Sequence, residues 1–353
     1  MLRIRFRWLW LGLVVLGAPA CDEGSDDDAD ATDAVGESDG TGGDGDVAEE
    51  VPALAITTGS LPGGRVQVAY AAQLEASGAA GTVTWEVTSG VLPPGLALDA
   101  EGAISGLPER SGTYDFEVTV HDATASDVDL LSIAVPKVLL MSGFEPFGGY
   151  AINSSYEAIE SFDEMMIGGL DVRVVELAVE WGTSWDELEG EIERLHPDAV
   201  ISTGQAGPEG MRFETGAVNS MRGTDNAGVT MTGEPIVPGG ISRLRPDYPI
   251  DEMDAAMTAG GFPTLVSADA GDFLCNYVMY RLLDYCAGAT EVPAAYGFIH
   301  VPPVPDVGMT VDEITAAHRL GIEALADWLA SGKEARPVVP DIHTPPRYFP
   351  EER

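Results

Sequence analysis

The stretch Ser267-Ala268-Asp269-Ala270-Gly271-Asp272-Phe273-Leu274-Cys275-Asn276-Tyr277-Val278-Met279-Tyr280 decides how this chain is read. Before it, Thr264-Leu265-Val266 has the character of a short buried strand. After it, Asn276 to Cys286 carries Val278, Met279, Leu282 and Leu283 at the spacing of a buried helix face. Strand, short loop and helix in succession deliver Cys275 to the first helical turn, where the partial positive charge of a helix N-terminus favours a thiolate. Cys286 lies eleven residues further on, roughly 16 Å along one helix axis. A disulfide needs Cα atoms within about 7 Å, so the two do not bridge. Cys286 reads as a packing residue behind Leu282 and Leu283. Free cysteines are commonly buried, and that reading is open to Cys275 too. Its place at the helix start beside Gly271 and Asn276 favours a nucleophile.

The same alternation surrounds this stretch. Val138–Met141, Val172–Leu177, Ala199–Thr203, Thr264–Val266 and Tyr296–Val301 read as strands. Helices are expected over Ser154–Phe162, Trp185–Leu195 and Val311–Leu329. Strand and helix in turn predict an α/β domain, a mostly parallel sheet with helices on both faces, over 137–335. Reactive groups in such folds sit on loops at the carboxyl ends of strands. Gly143–Gly149, Gly204–Asn219, Cys275 and His300 all fall at such ends.

Upstream the character changes. Over 51–136, Val66–Tyr70, Val83–Val87, Ala97-Leu98 and Tyr114–Val120 largely alternate in facing. Turns at Leu61–Gly64, Leu92–Gly95 and Ser105–Pro108 separate them. Short strands at this spacing predict a small antiparallel sandwich. The string Leu92-Pro93-Pro94-Gly95-Leu96-Ala97-Leu98-Asp99, then Gly102–Pro108 and Gly112-Thr113-Tyr114, resembles the Ig-like modules of bacterial surface proteins. Trp85 reads as core, and His121 as an exposed strand end.

Residues 22–50 hold thirteen Asp or Glu and no Lys or Arg. Such a segment cannot bury enough apolar surface to order itself and reads as an extended acidic tether. Residues 1–21 have a basic start (Arg3, Arg5, Arg7) and an apolar run, Trp8 to Leu16, shorter than the ~20 residues of a membrane-spanning helix. Gly17-Ala18-Pro19-Ala20-Cys21 then resembles a lipobox, with Ala18 where leucine is commonest. The expectation is an exported lipoprotein, lipidated at Cys21 and held to a membrane by that anchor. Residues 336–353 form a Pro-rich tail. A net charge of −40 repels nucleic acid and anionic membrane surfaces alike. With only three cysteines, the chain is no disulfide scaffold.

An activated thiol needs a base. Of five histidines, His196 precedes a proline at a helix end, His318 is mid-helix, His343 lies in the tail and His121 belongs to the other domain. His300 ends an apolar strand just before Pro302-Pro303. A Cys–His pair also needs a group to orient the imidazole, and Glu214 is the candidate among many carboxylates.

Five blocks, in order across 137–335, resemble pyroglutamyl-peptidase I (pyrrolidone carboxypeptidase). They are Gly143-Phe144-Glu145-Pro146-Phe147-Gly148-Gly149 with Ile152-Asn153, Gly204-Gln205-Ala206-Gly207, Glu214 to Asn219, Ala270 to Tyr280, and Gly297 to Pro302. The resemblance implies a phosphorylase/hydrolase-like α/β sandwich with a Cys275–His300–Glu214 triad. It implies removal of amino-terminal pyroglutamate from peptides without metal or cofactor. It assigns Phe144 and Phe147 to the substrate ring, Gln205 to the lactam, and Arg222 to the substrate or oxyanion. The chain departs from the pattern in four places. Pro208-Glu209 stand where Gly-Arg is usual, the loop to Glu214 and the segment after Asn219 are short, and Asp269 and Asp272 add negative charge beside Cys275. These departures leave two alternatives: a catalytically silent surface-binding or adhesion lipoprotein on the same fold, or a hydrolase of another γ-lactam or amide. Oligomeric state is left open.

Overall fold

In the computed structural model, residues 53–207, 210–304 and 308–332 are described. The signal-like segment, Cys21, the acidic tether and the Pro-rich tail lie outside them. No helix among the described residues is long and apolar enough to cross a membrane.

The amino-terminal module is built from β1 (Ala55–Ile56), β2 (Tyr70–Gln73), β3 (Ala76–Ser77), β4 (Thr84–Gly90), β5 (Leu96–Leu98), β6 (Ala103–Gly106), β7 (Gly112–His121) and β8 (Ser126–Val135). Sheets in the orders β2-β6-β5 and β4-β7-β8 form the sandwich, with β1 paired to β3. Trp85, Ile104, Phe116, Val118, Val120, Leu131 and Ile133 fill its core. Strand β8, which sequence reading missed, supplies the last two of these.

The expected strand at Val66–Tyr70 is a correction. Val66 to Val68 form a turn, with Gln67 at φ 57°, and pairing begins only at Tyr70. The turn is held from outside: Gln67 N donates to Pro108 O, and Val66 O accepts from Arg173 of the following domain. Contacts distant in sequence override the β propensity of the two valines.

Pro136 and Lys137 alone separate β8 from β9 (Val138–Phe144), the first strand of the α/β domain. The junction is bonded on both sides. Arg65 of the module pairs with Asp171, which also takes Arg173 Nε at 2.9 Å and Nη2 at 2.8 Å. Burial alone would push the Asp171 carboxyl up, but the two guanidinium groups outweigh it and hold it below the usual carboxylate range. Ser111 Oγ donates to Asp198 Oδ1 at 3.0 Å, while Asp198 Oδ2 accepts from Val138 N at 2.8 Å.

The α/β domain continues with α1 (Ser154–Glu157), β10 (Met166–Ile167), β11 (Leu170–Leu177), α2 (Thr183–Leu195), β12 (Ala199–Gln205), β13 (Met211–Glu214), β14 (Ala217–Val218), β15 (Met221–Thr224), β16 (Thr230–Glu234) and β17 (Arg243–Leu244). It ends with α3 (Ile250–Ala259), β18 (Thr264–Ser267), α4 (Leu274–Gly288), β19 (Ala295–Val301) and α5 (Val311–Ala330). The seven-stranded sheet runs β10-β11-β9-β12-β19-β13-β18. Neighbours from β11 to β19 are parallel, and β13 is antiparallel to β19. Strands β9, β12 and β19 are buried at every position, as strands covered on both faces are. Core residues from α2 and α4 pack one face, continuous with the core of the module, and those from α3 and α5 pack the other.

The helix expected over Ser154–Phe162 is cut to one turn, followed by a 3-10 turn at Glu160–Phe162. Thr203 Oγ1 donates to Ser155 O at 3.0 Å, taking the carbonyl that Ile159 N would use, and Ile159 N turns to Tyr156 O instead. α5, by contrast, follows its pattern. Thr310 and Glu313 form a reciprocal capping box, and Ile314, Ala317, His318, Ile322, Leu325 and Leu329 face the core. His318 is sealed there, its pKa driven down to about 4 by burial, so it stays neutral.

Candidate active site

Strand register sets the frame. Gly204 on β12 lies opposite His300 on β19, and His300 lies opposite Arg212 on β13. Strand β18 is parallel to β13 and so runs against β19. Its carboxyl end at Ser267 pairs with Glu214, which pairs with Phe298. A strand end therefore does not itself present Cys275. Residues 268–273 carry the chain on to α4, where Cys275 is second. The sulfur rests on the backbone of Gly204, where an added Cβ would lie 2.6 Å from Sγ.

The imidazole of His300 is buried, with Nδ1 at 2.8 Å from Oε1 of fully buried Glu214. With Nδ1 engaged, Nε2 is the nitrogen left to face the thiol of Cys275. Burial alone would lower the His300 pKa; the charges and hydrogen bonds of Cys275 and Glu214 outweigh it and raise it to about 9. Glu214 Oε2 has no hydrogen-bond partner among the described residues, so this carboxylate is committed to one task. Tyr248 Oη lies 3.0 Å from Glu214 O and 2.9 Å from Phe298 O, tying together the strands that carry acid and base. Asn276, next to the thiol, bonds Val218 N and O and Ser220 O, which holds the segment after Glu214 against α4.

Beside Cys275 a small apolar pocket is lined by Phe144, Phe147, Val179, Phe273, Leu274, Asn153 and Gln205. Gln205 Oε1 accepts from Ser154 N and from Ser154 Oγ, each at 3.0 Å. Its oxygen is therefore spent, and its amide N–H groups are the ones available to a ligand. Asn153, whose side chain caps α1, donates Nδ2 to Glu145 O at 2.9 Å and so fixes the loop carrying Phe147. Phe273 stands in the nucleophile stretch, where the sequence assigns it no role. Its ring stands 6.1 Å from Phe147 and 5.4 Å, edge-on, from Trp181. Gly223, at φ 118°, leaves room for that ring: a Cβ there would lie 2.7 Å from it. The signal available in the sequence was position alone, two residues before the thiol.

Arg222 lies on β15, largely exposed, with Nε 3.0 Å from Asp272 Oδ2. The negative charge that Asp272 brings beside Cys275 is thus met by a guanidinium. Cys286 is buried in α4, its thiol pushed up to about 12 by burial. Among the described residues no group of three or more His, Cys, Asp or Glu is placed to hold a metal. A larger cleft of 790 Å³ lies at the amino ends of β12 and β19, lined by Arg110, His196, Asp284 and Glu291 among others. It contains none of the thiol, imidazole and carboxylate just described, and its size follows from the domain junction.

A thiol, an imidazole and a carboxylate lie together beside an apolar pocket on an α/β sheet, and the class this fold defines is a hydrolase that acts as a peptidase. The chain belongs to the pyroglutamyl peptidase family, whose model matches residues 137–327, and is a peptidase of the pyroglutamyl-peptidase I kind. An Ig domain family matches residues 53–136. The pyrrolidone-carboxylate peptidase of Chromobacterium violaceum is 37% identical over 219 residues, 59% of this chain and 100% of that protein. The enzyme of the same name from Erwinia tasmaniensis is 39% identical over 173 residues, 48% and 80% of the two chains. Among solved structures, the pyrrolidone carboxyl peptidase of Pyrococcus furiosus superposes with TM-score 0.52 at 32% identity, covering 54% of this chain and 99% of its own. Pyroglutamyl peptidase I of Bacillus amyloliquefaciens gives 0.52 at 30% identity, covering 54% and 95%.

Proposed function

We propose that this peptidase removes amino-terminal pyroglutamate through a Cys275–His300–Glu214 triad and a thioester intermediate. The observation that carries this reading is the burial of the His300–Glu214 pair beside a partly buried thiol. His300 takes the thiol proton, Cys275 attacks the acyl carbonyl, and the protonated imidazole returns its proton to the departing peptide amine. A water activated by the same ring then cleaves the thioester. Orphan backbone N–H groups in the first turn of α4 are placed to stabilise the oxyanion. Pyroglutamate has no free amine, so Phe144, Phe147 and Phe273 can enclose the ring while the free Gln205 amide donates to the lactam oxygen. Arg222 acts here through Asp272, as a charge partner to the nucleophile loop.

The test is release of aminomethylcoumarin from its pyroglutamyl derivative under reducing conditions. Wild type turns over, and Cys275→Ser loses at least a thousandfold with its thermal melt intact. Absence of turnover by folded, reduced wild type would favour the silent binding protein. We further propose that the chain is exported and anchored through a lipid on Cys21. The lipobox-like run and the acidic spacer support this. Failure of the chain, and of a Cys21→Ala control, to differ in labelled palmitate incorporation would remove that anchor.

A further inference from the structure

Arg212 is a charged group that the mechanism above does not use. It lies on β13 opposite His300 in register, so the two side chains leave the same face of the sheet. Its guanidinium returns across the end of β19 to the backbone of Gly207, just past β12, and leaves no room there for a Cβ. It therefore lies beside the strand position of the imidazole, against the loop that follows Gln205. Its Nε is buried and has no hydrogen-bond partner among the described residues. Arg65, Arg110, Arg173, Arg194 and Arg222 each pair with a carboxylate; Arg212 has none among the described residues. A buried donor without an acceptor costs about 1–3 kcal/mol, and a guanidinium is the side chain best shaped to take a carboxylate.

We propose that Arg212 recognises the free α-carboxylate of a pyroglutamyl dipeptide, making short peptides the preferred substrates. This rests on the peptidase reading above and names its substrate class. The distances suit it. Two strand spacings, about 10 Å, separate the backbones of Gly204, under the thiol, and Arg212. In a dipeptide the terminal carboxyl carbon follows the scissile carbonyl by roughly 4 Å, on the leaving side where His300 donates its proton. Longer peptides carry a neutral amide at that point and leave the guanidinium unmatched. The chain is otherwise strongly acidic, so a cation with no carboxylate partner among the described residues selects for an anion against the general field.

The experiment compares pyroglutamyl-alanine, its amide, pyroglutamyl-glutamate diamide and pyroglutamyl-aminomethylcoumarin on the purified chain. The wild type should favour the free dipeptide over its amide at least tenfold in kcat/KM, mainly through KM. Arg212→Gln should erase that preference while holding coumarin turnover within threefold, and Arg212→Lys should restore part of it. Preference for the glutamate diamide instead would keep the anion site but assign it to an acidic side chain. Equal turnover of dipeptide and amide by wild type, or a preference unchanged in Arg212→Gln, overturns the proposal and leaves the peptidase reading standing. Failure of wild type on every pyroglutamyl compound overturns both.

Discussion

Gly204 has no functional group, yet its replacement by alanine should be among the most damaging changes in the domain. The added Cβ would lie 2.6 Å from Cys275 Sγ and 2.8 Å from Phe298 Cζ. Ordinary non-bonded contacts of carbon are about 3.5–4.0 Å, so the sulfur or the ring must retreat by about 1 Å. The Phe298 ring is buried and packed 4.9 Å from the His300 ring, so it gives little, and the thiol moves. A misplacement of this size costs about 100-fold in rate, equivalent to about 2.7 kcal/mol of activation free energy. Overpacking should also cost about 1–3 kcal/mol of stability. Steady-state kinetics on pyroglutamyl-aminomethylcoumarin, with urea unfolding in parallel, separates the two effects. A folded Gly204→Ala protein retaining kcat/KM within threefold would refute the idea that the sulfur is seated on this backbone.

Three further outcomes are expected. His300 has its pKa raised from 6.5 to about 9, so its interactions stabilise the fold fully below pH 6.5 and that contribution is lost as pH rises through 9. The shift corresponds to about 3 kcal/mol shared between Cys275 and Glu214; Glu214→Gln should thus cost more in urea unfolding at pH 6 than at pH 10, and an equal cost contradicts the assignment. Arg65→Ala removes one guanidinium from buried Asp171 and should cost about 2 kcal/mol while kcat stays unchanged, because the junction lies away from the thiol. Ser154→Ala frees the Gln205 oxygen from one of its two donors and should raise KM about threefold to tenfold with kcat within a factor of two, measured on the same substrate.

Elements whose evidence is local were legible from the residues alone. Apolar runs marked β9, β12 and β19, helical spacing of apolar residues marked α4 and α5, and Gly/Pro punctuation marked the amino-terminal sandwich. The sequence also marked the thiol, the imidazole and, through resemblance, the carboxylate, because these stand in recognisable blocks. What it lacked was every relation between residues distant in the chain. Thr203 stops α1 by taking a carbonyl, Arg173 holds Val66 in a turn, and β13 and β18 run against β19, and none of these appears in any short window of residues. The same holds for the site. Glu214 meets His300 across 86 positions, the sulfur settles on Gly204, Ser154 turns the Gln205 amide, and the buried Nε of Arg212 is left without an acceptor among the described residues. Propensity and periodicity act within a few residues, whereas the placement of buried polar groups is settled only when the folded chain must give each donor an acceptor.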